Sequence, residues 1–435
     1  MNKRVRYPDQ RLRLIVLLLL VFSSLTNKSL GDNTDKPLGN CIFRQNIRTV
    51  QFFREGWEFS LPVLELGTDQ RIILQFDEIS EGVTNFVYTL THCDAEWYQS
   101  RIVPSEYMEG FVENPLNDFA SSANTTVKFT NYQVKLPNDQ VRLLVSGNYL
   151  LSVYDTENRN TPVLTRRFYV LEPGSQIRGE VKKSSFEGYK GRDQEIELTV
   201  DYSSLNIQDP RTELKAVLMQ NLRTDNCKME LKPSTVKDNQ LIYGFDHECI
   251  FPGGNEFRNF DTKNLRANGS GVAQIDFKDP SYQVILKTDQ IRRTGDYLTE
   301  SDLNGRYLIK NDNANDADLE SDYITVGFSL AMAEPLAGGN IYVFGGLSDW
   351  QCLHANKMSW NYELKRYEVT LTLKQGFYDY QYVYIQNGDG RIDETALEGS
   401  HVETENDYQG FVYHHGFSSR YDKLVGFSTF NSVKR

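Results

Sequence analysis

The stretch RYEVTLTLKQGFYDYQYVYI, residues 366–385, decides the fold. From Arg366 to Lys374 the side chains alternate strictly, with Tyr367, Val369, Leu371 and Leu373 on one side and Arg366, Glu368, Thr370, Thr372 and Lys374 on the other. Successive side chains of a strand point to opposite faces, so a period of two with one apolar face predicts a half-buried β-strand. Gln375-Gly376 reads as a turn, after which 377–385 should pair back with Tyr378, Tyr380, Tyr382 and Tyr384 on one face. Asn387-Gly388-Asp389-Gly390 is a hairpin signal, because these residues tolerate the positive φ that tight hairpin turns require.

The same signature extends outward from this stretch. Strands are predicted at 323–331 and 341–344, and towards the N-terminus at 71–76, 85–90, 125–134, 141–145, 149–154, 163–171, 195–202, 213–220 and 241–245. Aromatic residues make up 12% of the chain, which favours strands over helices. Neither a βαβ alternation nor a long amphipathic helix is visible. Many short strands with turns between them predict an all-β protein of tandem immunoglobulin-like β-sandwich domains. Glu172-Pro173-Gly174-Ser175 punctuates the chain. The acidic run after Ile309, KNDNANDADLESD, holds almost no apolar side chain and reads as a solvated loop or linker. The expected division is 1–31, 32–173, 174–315 and 316–435.

The first 31 residues read as a secretory signal peptide. A basic region runs to Arg13, a nine-residue apolar run spans 14–22, and Ser29-Leu30-Gly31 places small residues at −3 and −1 of a cleavage site. The apolar run is too short to cross a bilayer as a helix, which takes about 20 residues. Leu38-Gly39-Asn40-Cys41 is a poor lipidation signal, so no direct lipid anchor is expected. The whole chain carries a net charge of −12. So acidic a body is a poor partner for a phosphate backbone, and nucleic acid is not expected to bind.

The five cysteines (41, 93, 227, 249 and 352) form no CxxC pair. Cys227 and Cys249 are the expected disulfide, flanking what reads as one hairpin in an exported protein. His92-Cys93-Asp94 has the vocabulary of catalysis, but strand neighbours face opposite ways, so a structural histidine beside a buried thiol is the better reading. No sequence-local signature of a hydrolase, zinc protease or nucleotide binder occurs. In 398–408, His401, Glu403 and Glu405 would share one strand face. Same-face neighbours about 7 Å apart do not converge on one ion, so no metal is expected; neither a cofactor nor a small-molecule substrate is expected in the reading reached below.

Residues 341–385 resemble the starch- and glycogen-binding modules of immunoglobulin-like shape. The resemblance rests on Phe344-Gly345-Gly346-Leu347-Ser348-Asp349-Trp350, Met358, Trp360, Gly376, Tyr378, Tyr380 and Tyr382. Those modules stack sugars on exposed Trp and hold hydroxyls with a Lys after the second Tyr, where this chain has Gln381. A periplasmic or surface carbohydrate-binding protein is therefore the alternative functional reading.

A broader resemblance covers most of the chain. The ordered blocks are 91–97 (THCDAEW) with Ser100, 106–111 (EYMEGF), 146–151 (SGNYLL), 165–168 (TRRF), 375–382 (QGFYDYQY), 398–401 (EGSH) with 404–408 (TENDY), and 420–426 (RYDKLVG). In this order they resemble the plug proteins of the type IX secretion system of Gram-negative bacteria. The resemblance implies a non-enzymatic periplasmic protein, held at the outer membrane through its partner. That partner would be the large outer-membrane translocon barrel, whose periplasmic mouth the plug closes when idle. Docking contacts are expected from Glu398, His401, Glu403, Glu405, Asn406 and Tyr408, and from Arg420, Tyr421 and Asp422, where charged and aromatic residues mix.

Overall fold

Short strands fill the computed structural model, which describes residues 36–229 and 231–433 and is all-β, a tandem array of β-sandwiches. The signal peptide expected at 1–31 lies outside the described residues. The first sandwich is built from one contiguous segment. One of its sheets runs Cys41–Ile42, Leu164–Leu171, Gly147–Asp155, Phe86–Cys93, Glu113–Leu116, with Val63–Glu65 parallel beside Leu164–Leu171. The facing sheet runs Ile47–Arg54, Ile72–Glu78, Thr130–Leu136, Asp118–Ser121. Leu74, Phe76, Phe86, Tyr132, Tyr149 and Phe168 fill the space between them. Phe76 stacks on Tyr132 at 5.3 Å and meets Phe86 edge-on at 5.7 Å, the arrangements an aromatic quadrupole favours. Burying one such ring contributes about 1.5–3 kcal/mol.

Beyond residue 173 the strands are exchanged. Gln176–Lys183, Asp193–Asp201, Gln240–Tyr243 and Thr235–Lys237 form a sheet. It packs on a second sheet in which Leu214–Gln220 pairs with Asp407–His414, itself paired with Lys423–Asn431. The third sandwich sets Val272–Lys278, Ser281–Leu286, Tyr323–Ala331, Arg366–Lys374 and Ser359–Asn361 against a sheet centred on Gly376–Gln386. The boundary expected at 315/316 is therefore crossed by pairing. Leu214–Gln220 bonds to Asp407–His414, Arg258–Asp261 to Gly376–Gln386, and Ser281–Leu286 to Tyr323–Ala331. Alternation shows which face of a strand is apolar, but not which distant edge it will meet.

The hairpin expected at Gln375-Gly376 is absent. Arg366–Lys374 pairs with Tyr323–Ala331, while Gly376–Gln386 belongs to the facing sheet. The chain changes sheets at this corner, where a Cβ on Gly376 would stand 2.2 Å from the Leu308 carbonyl oxygen. Both faces of Gly376–Gln386 are largely buried, Asp379 and Gln381 as well as Tyr378, Tyr380 and Tyr382. The turn at 387–390 does form a hairpin, to Ile392–Asp393. The acidic run after Ile309 is not a solvated linker. Asp322 is buried and accepts hydrogen bonds from the Thr126 amide and hydroxyl, and the Leu319 carbonyl accepts from the Ala123 amide, so the run docks on the first sandwich.

Candidate functional site

The blocks that stand out in the sequence converge on the joints between sandwiches. At the first joint, His92 is buried, shares a 2.8 Å hydrogen bond with Ser100 Oγ and lies 3.1 Å from the Ser146 carbonyl oxygen. Burial lowers its pKa to about 4, so the ring is neutral and structural. Gly147 is required beside it: its φ is +132°, and a Cβ there would lie 2.6 Å from His92 Nε2. Asn148 Nδ2 donates to the Asp94 carbonyl and Tyr413 Oη donates to Asn148 Oδ1. Asp422, from the C-terminal segment, accepts from the Ala95 amide at 2.8 Å and pairs with His415 Nδ1 at 2.7 Å. Trp97 is buried under the Arg167 guanidinium, 4.3 Å from its ring centroid. Blocks 91–97, 146–151, 165–168 and 420–426 thus build one polar, fully engaged seam between the first and second sandwiches.

The 398–408 block builds another. Glu398 is buried and takes both Arg258 (3.0 Å) and Arg292 (2.8 Å), plus the Tyr382 amide at 2.9 Å. Burial works to raise its pKa, but the two guanidiniums hold it below the usual carboxylate range. Asn406 donates to the Gly253 carbonyl and to Gln194, while Tyr408 donates to Gln194 and accepts from Gln220. The Glu398 contacts lie within the third sandwich and those of Asn406 and Tyr408 within the second; between them Ser400 Oγ donates to the Arg192 carbonyl, so the block carries the chain from the third sandwich onto the second. Glu398, Asn406, Tyr408 and Asp422 are buried inside this chain, and they do not face a partner as expected. Of the predicted contacts, Glu403 and Arg420 are exposed, paired with Lys183 and Glu106. His401, Glu405 and Tyr421 are half-buried, and the Tyr421 ring packs edge-on against His92. His401, Glu403 and Glu405 do not converge; among the described residues no cluster of His, Cys, Asp or Glu is placed to hold a metal ion.

Sequence reasoning missed the seam between the first and third sandwiches. Lys374 donates to Asp77 Oδ2 at 2.6 Å with both side chains only 1% exposed. Asn131 and Tyr323 also donate to that carboxylate, and Lys374 Nζ lies 4.2 Å from the Phe129 ring centroid. Lys374 ends the alternating stretch on its polar face, so local pattern places it in solvent. Arg223 is likewise buried, bound to Asp225 and Glu394 and stacked 4.6 Å over Trp350. That stacking occupies one face of Trp350, and Gln381, at the position of the sugar-binding Lys, donates to Glu394. Trp360 is half-buried against Tyr367.

The disulfide expectation is overturned: Cys227 and Cys249 are both free thiols. They do not flank one hairpin. Cys227 follows a turn whose Lys228 bridges back to Leu218 and packs with Trp97 and Tyr169, whereas Cys249 lies in the core of the second sandwich beside Tyr243. Burial pushes each thiol up to about 12. Near the second seam, Glu256 is buried, accepts from Tyr297 Oη and the Glu405 amide, and stands next to Asp302. Burial, then the neighbouring carboxylates, raise its pKa to about 7. Asp379 is also raised to about 7, by burial and Asp302.

Exposed apolar residues are scattered over all three sandwiches, and one group of them lies at one end of the first. Phe111 is 75% exposed, and Val103, Val112 and Leu144 are exposed beside it. The Leu144 amide donates to the Tyr107 carbonyl, and Val141 pairs with Gly110. The loop carrying Phe417, whose side chain is wholly exposed, reaches the same end through Arg420, bound to Glu106 at 2.6 Å.

Residues 47–172 match the family model "Type 9 secretion system plug protein 1st domain". A hypothetical protein from Parabacteroides merdae, known from its crystal structure, is 35% identical, with TM-score 0.88 over 91% of this chain and 100% of that one. Trypsin-activated alpha-2-macroglobulin from Escherichia coli is matched at 8% identity and TM-score 0.18, over 88% of this chain and 27% of that one, too slight a likeness to carry an argument. No curated protein matches. The chain belongs to the family of type 9 secretion system plug proteins.

Proposed function

We propose that this protein is a non-catalytic periplasmic plug that docks on the periplasmic mouth of the large translocon barrel of the outer membrane and closes it when no substrate is passing. One observation carries the reading beyond family membership: among the described residues each seam between sandwiches holds a buried charged side chain with its partner across the joint, Asp77 with Lys374 between first and third, Arg223 with Glu394 between second and third, and Asp422 on the Ala95 amide between first and second. A body that stops a wide aqueous pore must not bend under load. Breaking a buried ion pair costs about 3–5 kcal/mol, so the sandwiches should move as one. With blocks 398–408 and 420–426 taken up in the seams, docking falls to the exposed end bearing Phe111, Val112 and Phe417. Aromatic anchors beside the Arg420–Glu106 and Arg142–Glu109 pairs suit a moderate, partly polar interface.

Photo-crosslinkers placed at Phe111 and at Phe417 should capture a large outer-membrane barrel protein, identified by mass. Deleting the gene should leave the outer membrane leaky to mid-sized solutes. Unchanged permeability with no captured barrel would remove the plug reading.

A further inference from the structure

A cleft of about 510 Å³ lies between the first and third sandwiches. Its walls are runs of consecutive residues, 42–45 and 47–50 on one side and 370–374 on the other, with residues of the 347–356 loop closing one end. A strand lines a cavity with consecutive residues only when it turns its edge, rather than one side-chain face, toward it. Both walls are such edges. Ile47–Arg54 is the last strand of its sheet, paired among the described strands only with Ile72–Glu78 and bulged between Arg48 and Gln51. Arg366–Lys374 is paired along its full length with Tyr323–Ala331, but on its other side Ser359–Asn361 covers only Arg366, Tyr367 and Glu368. Among the described residues, 369–373 have no backbone partner on that side.

The charge of this cleft opposes that of the chain. Arg44, Arg48, Arg166 and Lys374 line it against the single carboxylate of Asp349, in a protein of net charge −12. Three of these cations are matched, Arg44 by Asp155, Arg166 by Asp349 and Lys374 by Asp77. Arg48 Nε is buried without a hydrogen-bond partner among the described residues. Exposed Phe43 and Leu353 also line the cleft. A bare strand edge offers main-chain hydrogen bonds to an extended chain, and a guanidinium prefers a carboxylate in bidentate contact.

We propose that the cleft binds an extended, acidic peptide segment of another protein, which adds as a strand along 369–373 and sets a carboxylate on Arg48. This stands apart from the plug reading, since barrel docking uses the opposite evidence, an apolar loop end, and either can fail alone. The test uses the full mature chain and a fluorescein-labelled, end-blocked octapeptide alternating valine and glutamate, with the glutamine version as control. Anisotropy should show saturable binding of the acidic peptide, at least about tenfold tighter than the neutral one. Arg48→Gln should bring the acidic peptide to the neutral level. Thr372→Trp, or Thr370→Trp if the first variant does not fold, should fill the cleft and abolish binding of both. Amide hydrogen exchange should slow across 369–373 when peptide is bound. No saturable binding, or binding untouched by the blocking variants, overturns the proposal. So does displacement by millimolar inorganic phosphate without edge protection, which would mark an anion pocket only. A concentration-dependent dimer of this chain that Thr372→Trp dissolves would assign the edge to a second copy and also overturns it.

Discussion

The first sandwich and the two that follow it solve the same packing problem with opposite topologies. Every strand of the first is drawn from one contiguous segment ending at Leu171. The second cannot close without strands some 190 residues downstream, since Leu214–Gln220 pairs with Asp407–His414. A contiguous sandwich buries its core from local chain, with a modest loop-closure cost, whereas an exchanged one must close long loops before its contacts form. The match to the plug protein first-domain model, residues 47–172, falls within the contiguous first sandwich. The exchange of strands shows why the remainder should be treated as one unit.

The largest test of that contrast is by fragment. Residues 32–173 should fold alone and melt cooperatively, followed by circular dichroism. Residues 174–315 should not, because Leu214–Gln220 and Arg258–Asp261 would lose Asp407–His414 and Gly376–Gln386. A cooperative melt of 174–315 would break the comparison.

Next is the seam that joins the two kinds of sandwich. Lys374→Met leaves the Asp77 carboxylate buried and unpaired, and should cost about 3–5 kcal/mol in denaturant unfolding. Adding Asp77→Asn should recover most of the loss, as replacing both partners of a buried pair is far less costly. Within the first sandwich, Phe76→Ala removes a ring that contacts Phe86 and Tyr132, and should cost a comparable ~3–5 kcal/mol. Its effect should also appear in the isolated 32–173 fragment, whereas that of Lys374→Met requires the whole chain.

A smaller effect sharpens the second seam. Glu256 and Asp379 both titrate near 7 in the folded chain, above ordinary carboxylates, so the folded state holds protons that the unfolded state has released. Their stabilisation is complete below the ordinary carboxylate pKa and is lost as pH rises through 7. Tyr297, Asp302 and Glu405 face Glu256, and the buried neutral His92 works in the opposite direction only as pH falls below its unfolded value of 6.5. Between pH 6.5 and 8 the thermal midpoint should therefore fall by a few degrees, roughly 2–4 °C per kcal/mol for a chain segment of this size. Glu256→Gln should flatten that slope. Smallest is Arg420→Ala at the exposed end, whose pair with Glu106 should be worth about 0–1 kcal/mol.

Much of the fold was legible because one physical rule governs it. Tyr367, Leu371 and Leu373 are buried where alternation places them, and Tyr378, Tyr380 and Tyr382 face the core together. The joints were half legible. Residues 91–97, 398–408 and 420–426 stood out as unusual, and they are, but their chemistry is turned inward. Asp422 and Glu398 look like surface charges until the Ala95 amide or Arg258 and Arg292 are brought beside them. Cys227 and Cys249 looked like a hairpin pair because the local reading could not see Leu214–Gln220 leave for another sheet.

By itself the sequence determined the all-β class, the apolar face of strands such as Arg366–Lys374, the hairpin turn at 387–390 and the blocks that resemble the family. These depend on side-chain period and backbone tolerance, which are properties of neighbours in the chain. Only the tertiary structure decided that Gly376 is a corner between sheets, that Arg366–Lys374 keeps a bare edge at 369–373, and that Lys374 is sealed against Asp77. Edges and buried charges are settled by which distant segment arrives, and that choice is made by packing across the whole molecule.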